Sequence, residues 1–176
     1  WSYETGGNVM VDISADGEYI VAGSWADNGF SLFNKNSNTP IWESNLSSMF
    51  QRVAISADGE YIAAGDNRGK TYLFDKDSST PLWTSQSETG KVRSIAISSN
   101  GQYIISTGGG GTALFDKYSS TPHRTVFGGN YVAISSNGTN FVVADWNTWV
   151  LYYDRDVDGD LWRKEMGHPG CSTTSE

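Results

Sequence analysis

One ten-residue phrase of this chain occurs four times. Val11 to Ile20 reads VDISADGEYI, and its counterparts run from Val53 to Ile62, from Ile95 to Ile104 and, more worn, from Val132 to Val142. Trp1, Trp42 and Trp83 keep a period of 41 residues. Self-similarity at a period near 40 decides the architecture before any local signal does. Each copy is a supersecondary unit that cannot bury its apolar face alone, so the copies must stack. Framework residues are then common to all copies, and function falls to the loops in which the copies differ.

Within a copy the pattern is strand, tight turn, strand, loop, strand, turn, strand. In the second copy Val53 and Ile55 share one face at period 2, as a half-buried strand requires. Asp58-Gly59 follows, and Asp16-Gly17, Asn100-Gly101 and Asn137-Gly138 stand at the same point in the other copies. Such dipeptides between alternating runs mark hairpins, because the turn needs positive φ. Tyr61 to Ala64 and Thr71 to Phe74 are the next strands. The segment from Asp75 to Pro81 then turns the chain into an outer strand beginning Leu82-Trp83. Pro40, Pro81 and Pro122 all stand where that outer strand starts, a place where a missing N–H breaks no ladder. β-Branched and aromatic residues fill the runs and no 3.6-residue period is visible, so the chain is all-β.

Four-stranded antiparallel units of this length, each with a Trp and an Asp-Gly turn, are the signature of β-propeller blades. VAISADGEYIAAG (53–65) and TYLFDKDSSTPLW (71–83) resemble WD-repeat blades of the divergent microbial kind. WSYETGG (1–7) is similar to the docking strand of pyrroloquinoline-quinone-type blades. The resemblance covers residues 1–165 and implies a lone outer strand at 1–5, blades at 8–46, 50–87, 92–127 and 130–165, and a flexible tail at 166–176. The blade count and the spare strand predict an arc of a larger propeller, a ring of about seven or eight blades. Further blades from a second copy or another chain would complete it, since open sheet edges need partners.

The chain reads as a non-enzymatic propeller interaction module that holds a partner across its loop face. WSYETGG opens the alternative of a quinoprotein-like oxidoreductase or a propeller subunit of a redox complex, and edge-to-edge structural assembly is a third reading. No nucleophile–base pair or paired carboxylates can be placed on the repeat.

A net charge of −8 and a pI near 4.6 exclude a nucleic-acid reader, which needs a basic footprint. No run approaches 18 apolar residues, so no transmembrane helix is expected. The single Cys171 excludes an intrachain disulfide framework. The low share of charged residues, 18%, and the wealth of Ser, Thr, Asn and Gly lean toward an exported or cell-surface protein. Asn45-Leu46-Ser47 and Asn137-Gly138-Thr139 are sequons that fit that setting. The chain opens on Trp1 rather than Met, which reads as a processed chain or a piece of a larger one.

Two regions carry candidate chemistry. Asp154, Asp156, Asp158, Asp160 and Glu165 match the calcium-loop spacing D-x-D-x-D-G-x5-E, with Gly159 at the bend. Alternating carboxylates suit Ca²⁺, which takes six to eight hard oxygens. The same stretch aligns with Asp75 to Trp83, so it reads equally as the turn between third and fourth strands. The second region is a loop face bearing Trp25, Trp146 and Trp149 outside the repeated Trp slot, beside Asp27, Asn28, Asp66, Asn67, Arg68 and Asn147. Aromatic plates among Asn and Asp suit a carbohydrate or a protein hot spot, and each Trp reads alternatively as a lid on its own blade. Gly108 to Gly111 lacks a following Lys-Ser/Thr, so it reads as a flexible loop and not a phosphate cradle. His168 and Cys171 lie in the Gly/Pro tail and do not make a zinc site.

Overall fold

Alternating apolar residues and Asp-Gly turns fold into sixteen strands and no helix among the described residues of the computed structural model, which are 1–25, 29–44, 46, 48–86, 89–145 and 149–166. The first sheet is β1 (Val9–Ile13), β2 (Tyr19–Ser24), β3 (Gly29–Asn34) and β4 (Trp42–Glu43). The second is β5 (Phe50–Ile55), β6 (Tyr61–Asp66), β7 (Thr71–Asp75) and β8 (Trp83–Ser85). The third is β9 (Ser94–Ile97), β10 (Tyr103–Gly108), β11 (Gly111–Asp116) and β12 (Arg124–Val126). The fourth is β13 (Tyr131–Ile134), β14 (Asn140–Ala144), β15 (Trp149–Asp154) and β16 (Trp162–Glu165). Each sheet is an antiparallel meander in chain order. The first strands β1, β5, β9 and β13 of successive sheets lie side by side, so the sheets fan out from them as blades.

Repeated residues do repeated work. Ser56 Oγ donates to Asp58 Oδ1 at 2.5 Å and accepts the Tyr61 amide at 3.0 Å. The same lock recurs at Ser14–Asp16, Ser98–Asn100 and Ser135–Asn137. Every hairpin glycine beyond it has positive φ; Gly101 has φ 67°, which an L side chain adopts only at a cost.

Three devices join successive blades, the first two at every junction and the third at the first two. A backbone ladder runs from Ala15 N to Ala57 O, from Ala57 N to Ser99 O and from Ser99 N to Ser136 O, at 3.0, 3.0 and 2.9 Å. A tyrosine ring (Tyr19, Tyr61, Tyr103) lies against the turn glycine of the following blade (Gly59, Gly101, Gly138), leaving no room for a Cβ there. A tryptophan on the outer strand donates from Nε1 to a lysine carbonyl of the following blade: Trp42 to Lys76 at 2.6 Å and Trp83 to Lys117 at 2.9 Å. Between these staples lie the apolar cores. Met10, Val21 and Leu32 meet Ile62 and Phe74; Ala63 and Leu73 meet Ile104 and Phe115; Ile105 and Leu114 meet Phe141 and Tyr153.

The amino-terminal segment departs from expectation. Residues 1–5 form no strand. Trp1 nevertheless takes the tryptophan slot: its Nε1 donates to Lys35 O at 2.6 Å and its ring stacks on Phe33 at 5.8 Å. Trp42 holds the same relation to Phe74, at 5.9 Å and the same interplanar angle of 27°. With Tyr3 at 4.8 Å, Trp1 covers a ring that is only 1% exposed.

The expected flexible loop at Gly108 to Gly111 is a tight hairpin instead. β10 and β11 pair down to Gly108 opposite Gly111. Thr107 Oγ1 donates to Gly111 O, and Thr112 Oγ1 bonds Thr107 Oγ1, at 2.8 and 2.9 Å. Those hydroxyls satisfy backbone and each other in a site closed to water, which is what orders the turn.

Candidate binding face

The two candidate regions fare differently. Asp27, Asn28, Trp146 and Asn147, with His168 and Cys171, lie outside the described residues. Trp25 is half-buried and packs on the core shared by the first two blades. Trp149 opens β15, its amide donating to Asp145 Oδ1 at 3.1 Å. The Asn67 amide bonds Met49 O at 2.9 Å, while Arg68 is exposed.

Asp66, expected on the exposed face, has no exposure. Its Oδ1 accepts the amides of Arg68 and Lys70, each at 2.9 Å, and its Oδ2 accepts the Tyr72 hydroxyl at 3.0 Å. It is the linchpin of the β6–β7 turn, its carboxylate oxygens bonded within the blade. Burial pushes the Tyr72 phenol up to about 12. The folded state therefore holds this proton more tightly than the unfolded chain, whose phenol titrates near 10. Stability from Tyr72 is complete below pH 10 and drains away as pH rises toward 12. Unfolding curves across that window should show the loss, and Tyr72→Phe should flatten its contribution while lowering stability at neutral pH by about 1–3 kcal/mol, the cost of leaving the buried Asp66 oxygen without its donor.

The acidic loop is a turn whose carboxylates are spent on neighbours. Asp154 Oδ1 accepts the Asp156 amide at 2.9 Å. Arg155 grips Asp156 through Nε and Nη2 at 2.9 and 2.6 Å, and Arg163 grips Asp160 at 3.0 and 2.7 Å. The Arg155 and Arg163 guanidiniums hold the Asp156 and Asp160 carboxyls below the usual carboxylate range. Asp158 is exposed. Glu165 pairs opposite Trp149, at the far end of β15 from Asp154, a separation of roughly 17 Å along the strand. Among the described residues no three His, Cys, Asp or Glu side chains come together as a metal-holding group, so the calcium set of Asp154, Asp156, Asp158, Asp160 and Glu165 does not converge.

What occupies the loop is the protein's own cation. Arg124 stands where the period places a tryptophan, pairing with Leu114 as Trp83 pairs with Leu73. Its Nη1 donates to the carbonyls of Asp154 at 2.7 Å, of Arg155 at 3.4 Å and of Val157, and its Nη2 to Gly159 O at 2.8 Å. The guanidinium also lies 5.4 Å from the Tyr153 ring centroid. The carbonyl turn meant for an indole N–H is thus filled by a charged fork.

A pocket that sequence reasoning did not assemble lies at the start of the inner strands. Trp25, Gln51, Arg52, Lys91, Val92, Arg93, Asn130 and Tyr131 line a cavity of about 200 Å³. Gln51-Arg52, Arg93-Ser94 and Asn130-Tyr131 occupy equivalent repeat positions. A bulge between Phe50 and Arg52 shifts the β5–β6 register there, and such bulges re-aim side chains. The signal in the sequence was the cations just ahead of a run that is otherwise apolar.

Four such meanders, stacked through their faces with the first strands inward, are propeller blades. The fold is a β-propeller's. The WD40 family model (WD domain, G-beta repeat) matches residues 79–115, that is, β8 of the second blade with β9 to β11 of the third. A chain in a solved structure described as "Crystal Structure of Mitotic Checkpoint Complex" superposes with a TM-score of 0.77 at 16% identity, over 88% of this chain and 52% of that one. This chain therefore spans about half the length of the propeller chain it resembles. No curated protein matches the sequence. Solved chains that match number 1380, too many for the fold by itself to name a function.

Proposed function

We propose that this chain is a non-catalytic protein-binding segment of a β-propeller, whose end faces seat further blades. The observation that carries the reading is the row of inter-blade staples, which runs three times in one direction and stops with both ends unmet. Gly17 has the turn conformation of Gly59 and Gly101, yet nothing lies within 4 Å of where its Cβ would stand. That is the seat for a tyrosine of a preceding blade. Beside it Val11 and Ile13, on the face that is covered in the other blades, are 66% and 56% exposed. Trp1 already supplies that blade's outer tryptophan. At the other end Trp162 is 49% exposed and stacked on Tyr152 at 5.4 Å, the slot that Trp42 and Trp83 fill against a neighbour. Exposed apolar faces of this size mark interfaces.

Light scattering of the purified chain across a concentration range tests the reading. Self-association is expected, with Val11→Asp and Trp162→Glu each reducing it without lowering the unfolding midpoint of the monomer. A chain monomeric at every concentration, or one whose association ignores both substitutions, would overturn it.

A further inference from the structure

We infer that the mouth of the inner strands is a docking site for an acidic peptide segment of a partner protein. The inference rests on the reading of the chain as a binding module and names the chemistry of what it binds. The cavity of about 200 Å³ there presents Arg52, Lys91 and Arg93, and no carboxylate among the described residues lines it. In a chain of net charge −8, three cations on one opening are a concentration against the background. Lys35, Lys76, Arg155 and Arg163 are each in an ion pair, whereas among the described residues Arg52, Lys91 and Arg93 have none. Arg52 Nη1 reaches only its neighbour's carbonyl, Gln51 O, at 2.6 Å, and Arg93 Nη1 donates to Asn130 Oδ1 at 2.9 Å. That last bond fixes one guanidinium in place at the opening.

The opening continues sideways. A second cavity of about 280 Å³ shares Arg93 and Asn130 with the first, is floored by the Gly108 to Gly111 hairpin and carries one carboxylate, Asp145, in its lining. Glycine lining lets a guest's backbone approach closely. Aromatic side chains stand at its borders: Trp25 and Tyr131 on the first cavity, Phe127 on the second. Tyr131 is 67% and Phe127 96% exposed, and exposed rings beside unpaired guanidiniums make an anchor of the kind found at interface hot spots. Arginine forks bind carboxylate or phosphate oxygens in pairs, so an extended segment places an Asp, Glu or phosphorylated residue in the first cavity and runs its backbone over the glycines of the second.

The test titrates the whole chain with a capped hexaglutamate peptide, read by Trp fluorescence, with arms for a phosphoserine-containing peptide, hexalysine, a neutral Gly-Ser peptide, a short DNA strand and inorganic phosphate. The acidic peptides should bind, and their affinity should fall at least tenfold from low to high salt. Arg52→Gln with Lys91→Gln, both exposed positions, should weaken binding at least tenfold while leaving the unfolding curve unchanged. Arg93→Gln should do the same alone. The relative affinities of the glutamate and phosphoserine arms identify which anion the site prefers. Absent binding of either acidic peptide, equal binding by the variants, or equal binding of the DNA strand or of inorganic phosphate overturns the inference. None of these results touches the end faces, which the Val11 and Trp162 variants read separately.

Discussion

Gly101→Ala is expected to destabilise the chain by about 2–5 kcal/mol, combining about 1–2 for a side chain forced into left-handed backbone with about 1–3 for overpacking. The φ of Gly101 is 67°, and a Cβ there would stand 2.2 Å from Tyr61 Cδ2 and 2.9 Å from its Cγ. The ring cannot retreat easily, because Lys117 lies 4.6 Å from its centroid and bonds its hydroxyl at 3.2 Å. Gly17→Ala is the internal control. It has φ 71° and open space around the new methyl, so only the backbone part applies, about 1–2 kcal/mol. Denaturant unfolding of the two variants, with and without Tyr61→Ala, measures the difference as a coupling. Equal losses at the two glycines would show that the tyrosine seat contributes nothing to blade docking.

Phe115→Ala should cost about 3–5 kcal/mol, the range for truncating a buried aromatic. Its ring is fully buried between the second and third blades, against Ala63, Leu73 and Ile104, with Trp83 at 5.2 Å. Phe127, twelve positions along, is the counterweight. At 96% exposure its removal should change stability by less than about 0.5 kcal/mol, while weakening any guest held at the second cavity. A Phe115→Ala loss no larger than that of Phe127→Ala, measured by the same unfolding curves, would mean that the blades are not held together through their faces.

The blades could be read in the sequence because most of the apolar contacts between them are made by residues that recur. Leu32, Leu73 and Leu114 pack forward while Phe33, Phe74 and Phe115 pack back, so the period itself encodes the interface. The candidate sites were less legible, for two physical reasons. Spacing along a chain does not give side-chain direction: Asp156 and Asp160 have the interval of a calcium loop, but arginines one and three residues away claim them first. Position in a loop does not give exposure either. Asp66 ends a strand and looks free, yet two amides and a phenol enclose it. The basic mouth was hidden for the opposite reason, since Arg52 stands 39 positions before Lys91 and joins it and Arg93 only when the inner strands converge.

Near-identical blades pose a sorting problem that the Arg124 fork answers. Trp1, Trp42 and Trp83 all fit one lock, an indole N–H on a lysine carbonyl, so this lock alone does not tell one junction from another. Arg124 offers a different key, and only the turn from Asp154 to Gly159 turns its carbonyls to receive it. A tryptophan presented there forfeits that charged fork, and Arg124 presented to a lysine turn has a single carbonyl to satisfy a delocalised cation. The third junction is therefore addressed while the others are generic, and one addressed joint is enough to fix the order of an array whose remaining parts are interchangeable.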